Sequence, residues 1–126
     1  MASTFMTSIG SLFSPVTDVY STLEVTEGFH QGVAVPLEQA VCRIGAAEQV
    51  DVMLSDVGVA AEHVILRFHA RMVAIEAVGG EVTVGGETLA QGTGWRTDWP
   101  VTIDGGGARL RLSRPDISLP PLLRVA

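Results

Sequence analysis

The chain has 126 residues, a formal net charge of −6 and a single cysteine, and its 8 basic residues are all arginine. That length suits one domain with a core of its own, needing neither disulfides nor a structural metal. The acidic balance, with arginines scattered over Arg43, Arg67, Arg71, Arg96, Arg109, Arg111, Arg114 and Arg124, excludes a nucleic-acid binder built around a basic patch and disfavours small anionic ligands.

Residues 1–19 are rich in Ser, Thr and small side chains and carry no basic segment ahead of an apolar run, so they read as a flexible arm and not as a signal peptide. From Tyr20 the hydrophobic period is two. Ser21–Thr26 puts Leu23 and Val25 on one face, and Gly28-Phe29-His30-Gln31 joins it as a hairpin to Gly32–Pro36. Val41–Gly45 and Asp51–Leu54 follow, with Ser55-Asp56 opening the next turn. Glu62–His69 and Arg71–Val78 are longer and rich in apolar and β-branched residues, and Gly79-Gly80 is expected to close that hairpin with positive φ. Glu81–Val84 and Glu87–Leu89 flank Gly85-Gly86, and Val101–Ile103 and Ala108–Leu112 flank Asp104-Gly105-Gly106-Gly107.

Turn signals every ~8–12 residues predict an all-β sandwich or barrel over residues 20–113. A helical turn at Leu37–Val41, or a helical start to Val57–Phe68, competes with this reading and yields to the flanking glycines and the valine content. Residues 114–126 hold Pro115, Pro120 and Pro121. Proline cannot donate to a strand ladder, so this segment reads as an extended tail or linker. No stretch approaches the ~20 apolar residues of a membrane helix, so the chain is expected in the cytoplasm, alone or as part of a longer membrane protein.

Sites of chemistry are hard to assemble. Cys42, close to Val41 and Ile44, reads as a packed thiol without a disulfide partner. Gly92-Thr93-Gly94 and Gly105-Gly106-Gly107 lack the following lysine and helix that a phosphate loop requires. Of His30, His63 and His69, the last two would share one strand face about 20 Å apart at ~3.3 Å per residue, so no metal site is predicted. Gly-x-Ser-x-Gly does not occur, and Asp51, Asp56 and Asp104 read as strand starts or turn formers. A binding module is expected, not an enzyme, with no cofactor and no small-molecule substrate.

One ordered set of motifs says more. Leu23-x-Val25 is followed by Gly28-Phe29-His30-Gln31-Gly32-Val33, Leu37, Cys42-Arg43-Ile44-Gly45, Asp51-Val52-Met53-Leu54, Asp56, Val59-Ala60 and His63, and later by Val84-Gly85-Gly86-Glu87-Thr88-Leu89. This resembles the forkhead-associated (FHA) domain, with its Ile-Gly-Arg, Asp-Ile-x-Leu, Ser-x-x-His and Asn-Gly pieces. The resemblance implies a β-sandwich of two mainly antiparallel sheets. It also implies that Gly45, Asp51, His63 and Gly86 are retained structural positions. The positions that grip phosphothreonine in the family read here as Ala46, Ala60 and Gly85, and the often basic residue after the serine reads as Ala61. Each lost charge-assisted contact is worth ~1.5–3 kcal/mol. Two or three losses amount to about 4–6 kcal/mol, roughly a thousandfold or more in affinity.

A narrower group loses the same residues. The pattern Leu, Gly-x-His-x-Gly, Leu, Ile-Gly, Asp-Ile-x-Leu, Asp and His, met here with Val52 in place of the Ile, is similar to the cytoplasmic domain of the YscD-type inner-membrane ring protein of type III secretion systems. That resemblance implies a non-catalytic scaffold on the cytoplasmic face of the bacterial inner membrane. Its implied partners are sorting-platform adaptors and inner-ring neighbours, and the full protein is implied to form a homo-oligomeric ring through a membrane segment absent from this chain. The competing expectation is an FHA domain of a signalling protein that reads phosphopeptides through Arg43, Arg67 or Arg71.

Overall fold

The computed structural model describes residues 19–69 and 71–114, so all but Val19 of the arm expected over residues 1–19 and all but Arg114 of the tail expected over 114–126 lie outside the described residues. Eleven strands form: β1 (Ser21–Glu27), β2 (Ala34–Leu37), β3 (Val41–Gly45), β4 (Val52–Met53), β5 (Val64–His69), β6 (Met72–Ala77), β7 (Val82–Val84), β8 (Glu87–Leu89), β9 (Gly94–Thr97), β10 (Val101–Gly105) and β11 (Ala108–Ser113). One sheet runs β2-β1-β11-β10-β7-β8 and the other β4-β3-β5-β6-β9. Every pairing is antiparallel except β3 with β4. The all-β sandwich expected from the sequence is the fold that forms.

Period-two alternation does the building, because successive side chains of a strand point to opposite faces. In β1, Ser21, Leu23 and Val25 are buried, while in β11 it is Ala108, Leu110 and Leu112. The facing sheet contributes Cys42 and Ile44 from β3, Val64, Leu66 and Phe68 from β5, and Val73, Ile75 and Ala77 from β6. These two inner faces make one apolar core.

The two ends of the sandwich differ. At the end where the described chain enters and leaves, the rings of Tyr20 and Phe68 stack at 5.8 Å and those of Phe68 and Trp99 at 6.3 Å. There the buried indole Nε1–H of Trp99 donates to Ser21 Oγ at 2.9 Å, and that hydroxyl donates to the Ser113 carbonyl at 2.9 Å. Ser21 is thereby a fully used polar residue in the core. The opposite end gathers the connections β1–β2, β3–β4, β4–β5, β6–β7 and β10–β11. They pack backbone on backbone: a Cβ on Gly58 would lie 2.8 Å from the Gly106 carbonyl oxygen.

Several expectations are corrected. Gly79-Gly80 does not close a hairpin and has no positive φ; it carries the chain from β6 in one sheet to β7 in the other. Gly79 is required instead by close approach, since a Cβ there would meet the Glu62 carbonyl oxygen at 2.1 Å. His63 and His69 do not share a face. β5 starts only at Val64, which leaves the His63 ring free to turn inward, while His69 is exposed. Strand β9 was not expected, because Gly-Trp-Arg-Thr is short and does not alternate in polarity; β6 pairs with it along one side. Among the described residues neither segment with a competing helical reading forms a helix.

Candidate functional site

The loop end is where the family pattern would put ligand contacts. Gly45 ends β3 in close packing, since a Cβ there would lie 2.1 Å from the Ala61 carbonyl oxygen. The next two amides are committed to the neighbouring loop: Ala46 N–H donates to the Ala60 carbonyl at 2.9 Å and Ala47 N–H to that of Ala61 at 3.1 Å. Ala46, Ala60 and Ala61 are thus brought together, as the sequence pattern requires, but their side chains are methyl groups on a surface of used backbone. Asp51 anchors the same segment, its Oδ2 accepting from Arg43 N–H at 2.8 Å.

His63 organises the loops from beneath. It is 5% exposed. Its Nδ1 accepts the Ala60 N–H at 3.0 Å, so the ring proton sits on Nε2, which faces the Glu81 carbonyl at 3.2 Å. Its main-chain carbonyl accepts the N–H groups of Val78 and Gly79 at 2.9 and 3.1 Å. A Cβ on Gly80 would press on the ring at 3.2 Å, and one on Gly105 at 3.3 Å.

Gly85 and Gly86 are not part of this cluster. They form the β7–β8 turn at φ 57° and 91°, and a Cβ on either would meet nothing within 4 Å. Gly85 stands four residue steps along an extended strand from Glu81, roughly 13 Å at ~3.3 Å per residue. The segment that lies against Ala60 and His63 is Gly79-Gly80-Glu81, where the sequence predicts a hairpin turn at the two glycines and a strand start at Glu81. The chain holds two Gly-Gly pairs six residues apart, and only the packing distinguishes them.

A second layer of contacts ties the hairpin over residues 28–33 to this end. Asp56 Oδ2 accepts the Phe29 N–H at 2.8 Å, and His30 Nε2 accepts the Ser55 N–H at 3.1 Å. Phe29 itself is 75% exposed and Val57 wholly so. Acidic side chains surround the loops, with Glu48, Glu62 and Glu81 all exposed. Arg43 is paired with Glu62 at 3.1 Å and Arg67 with Glu76 at 2.7 Å, both on strands of the second sheet. Cys42 lies in the core beneath, and burial, with the nearby Asp51 carboxylate adding to it, pushes its thiol up to about 12. Among the described residues no group of three or more His, Cys, Asp or Glu side chains is placed to hold a metal ion, and no helix is long and apolar enough to cross a membrane.

Residues 24–95 match the family model described as the inner membrane component of the type III secretion system (T3SS), cytoplasmic domain. No curated protein matches the sequence. Among solved structures, the chain is similar to the cytoplasmic domain of the T3SS sorting platform protein PscD from P. aeruginosa, with 26% identity, a TM-score of 0.64, and coverage of 80% of this chain and 85% of that one. An FHA domain from Arabidopsis thaliana superposes with a TM-score of 0.68 at 15% identity, covering 79% and 92% of the two chains. An FHA domain studied for phosphothreonine-dependent interactions superposes at 0.65 and 19% identity, covering 77% and 98%. At those two identities the likeness speaks to the fold alone.

Proposed function

The chain belongs to the family of cytoplasmic domains of the type III secretion inner-membrane component, and from that premise we propose that it is a non-catalytic contact scaffold that docks the sorting platform and does not read phosphothreonine. The observation that carries the proposal is the methyl-lined loop surface at Ala46, Ala60 and Ala61, whose neighbouring amides already serve the fold. A phosphate placed there would meet methyl groups with exposed Glu48 and Glu81 nearby, and the guanidinium of Arg43 is already paired with Glu62 at 3.1 Å.

The phosphopeptide-reading alternative requires Arg43, Arg67 or Arg71 to replace the missing grip. Arg43 and Arg67 are engaged by Glu62 and Glu76 on the sheet face, and Arg71 lies at the β5–β6 turn, between strands of that same sheet. Nothing in that arrangement favours the alternative.

The test is co-elution of the purified chain with the unphosphorylated sorting-platform adaptor of the same secretion system at about 50 μM each, a concentration that detects interactions of about −6 kcal/mol or stronger. A stoichiometric complex is expected. Failure to co-elute would remove the docking half. Phosphate-dependent binding on a phosphothreonine peptide array would remove the other half.

A further inference from the structure

The outer face of the β4-β3-β5-β6-β9 sheet concentrates positive charge on an otherwise acidic molecule. In the register of that sheet Ala74 stands opposite Arg96, and His69 opposite Met72. With Arg71 these residues line a shallow cavity of about 520 Å3 that contains no carboxylate. A neighbouring cavity of about 420 Å3 continues it past His69 and Arg96 to the Arg67–Glu76 pair and to Gly94 and Trp95. Among the described residues neither Arg71 nor Arg96 meets a carboxylate within 4 Å. Met72, at 41% exposure, offers an adaptable apolar side chain between them.

We propose that this face binds an acidic segment of a partner protein, with carboxylates meeting Arg71 and Arg96 and an apolar side chain seated on Met72 and Ala74. The charges decide the class of partner. A chain of net charge −6 repels nucleic-acid phosphates overall, and two unpaired arginines are too few to overcome that. They are enough to orient a short acidic stretch, for which complementarity sets register and encounter rate. Among the described residues no strand pairs with the outer edge of β9 beside them, which lets such a stretch lie extended along the sheet. This surface rests on its own charges and not on the secretion reading.

The experiment is an amide NMR titration of the chain with a synthetic peptide, Asp-Leu-Glu-Glu-Leu-Asp, against its Lys-for-acid counterpart. Shifts confined to residues around His69, Met72, Ala74 and Arg96 are expected with the acidic peptide only. They should weaken at least about tenfold as salt rises from 0.05 to 0.5 M, where screening shortens the reach of charge. The pair Arg71→Glu with Arg96→Glu should abolish them, the milder Arg71→Gln with Arg96→Gln should reduce them, and Arg111→Glu on the opposite sheet should leave them unchanged. A well-dispersed spectrum of each variant shows that it folds. Shifts at the loop end, equal shifts with both peptides, no shifts, or shifts that follow protein concentration alone, as in self-association, would each overturn the proposal.

Discussion

The Nε2–H of His63 donates to the carbonyl oxygen of Glu81 at 3.2 Å, joining the β4–β5 loop of one sheet to the start of β7 in the other. The same ring accepts the Ala60 amide at Nδ1. One buried histidine therefore holds two segments of the loop end together, the β4–β5 loop and the β6–β7 connection. The ring thus shapes these loops independently of any ligand.

Removing that ring should be costly. His63→Ala leaves the part-buried Ala60 N–H and Glu81 carbonyl without their ring partners, each worth up to about 1–3 kcal/mol, and opens a cavity besides. A loss of about 2–4 kcal/mol in urea unfolding is expected, with a fall in Tm of about 10 °C or more. A loss below about 0.5 kcal/mol would show that water replaces the ring without penalty.

The glycines should separate into two classes. Gly45→Ala and Gly79→Ala each drive a methyl to within 2.1 Å of a carbonyl oxygen of the adjoining loop, so each should cost at least about 2 kcal/mol or prevent folding. Gly85→Asn faces open space at a φ of 57°, a conformation that asparagine tolerates. It should change stability by less than about 0.5 kcal/mol. Thermal unfolding of the three variants side by side checks the ordering.

Much of this was legible in the sequence because alternation is a local signal. Leu23 and Val25, or Leu110 and Leu112, declare their strands and inner face without reference to anything distant. The loop end is different. Gly79-Gly80 and Gly85-Gly86 look alike in sequence, yet one is required by contact with Glu62 and His63 and the other by a two-residue turn. Those contacts join the residues just before β5 to those just after its partner β6, far apart along the chain, and no local pattern encodes them. Strand β9 was hidden for a related reason, since it is ordered by its pairing with β6 and not by its own polarity.

Cys42 gives a pH signature. Its folded thiol is pushed up to about 12 by burial and Asp51, against an ordinary value of 9.0. Between those values the unfolded chain has lost the proton and the folded chain keeps it, so stability falls as pH rises from about 9 toward 12 and is unaffected below 9. Cys42→Ala should flatten this part of the curve. A disulfide reagent at pH 8 should modify the native thiol only at the rate of unfolding, and immediate stoichiometric reaction would contradict the buried position.

Building a phosphate grip into the loop end is the sharpest check on the proposal that this chain does not read phosphothreonine. Ala46→Arg with Ala60→Ser restores a guanidinium and a hydroxyl on loops that the backbone already holds together. Two charge-assisted contacts supply ~3–6 kcal/mol, against ~4.1 kcal/mol for a Kd of 1 mM. Phosphothreonine peptides should therefore bind the double variant with a Kd of about 1 mM, read by amide shifts at the loop end, while the unphosphorylated peptide and the unaltered chain show none. Adding Gly85→Asn should not tighten this binding, because Gly85 stands at the far end of β7 from the His63–Glu81 contact. A marked gain from that third change would place Gly85 in the loop cluster after all. No binding by the double variant would mean that the loop end lacks more than these two side chains.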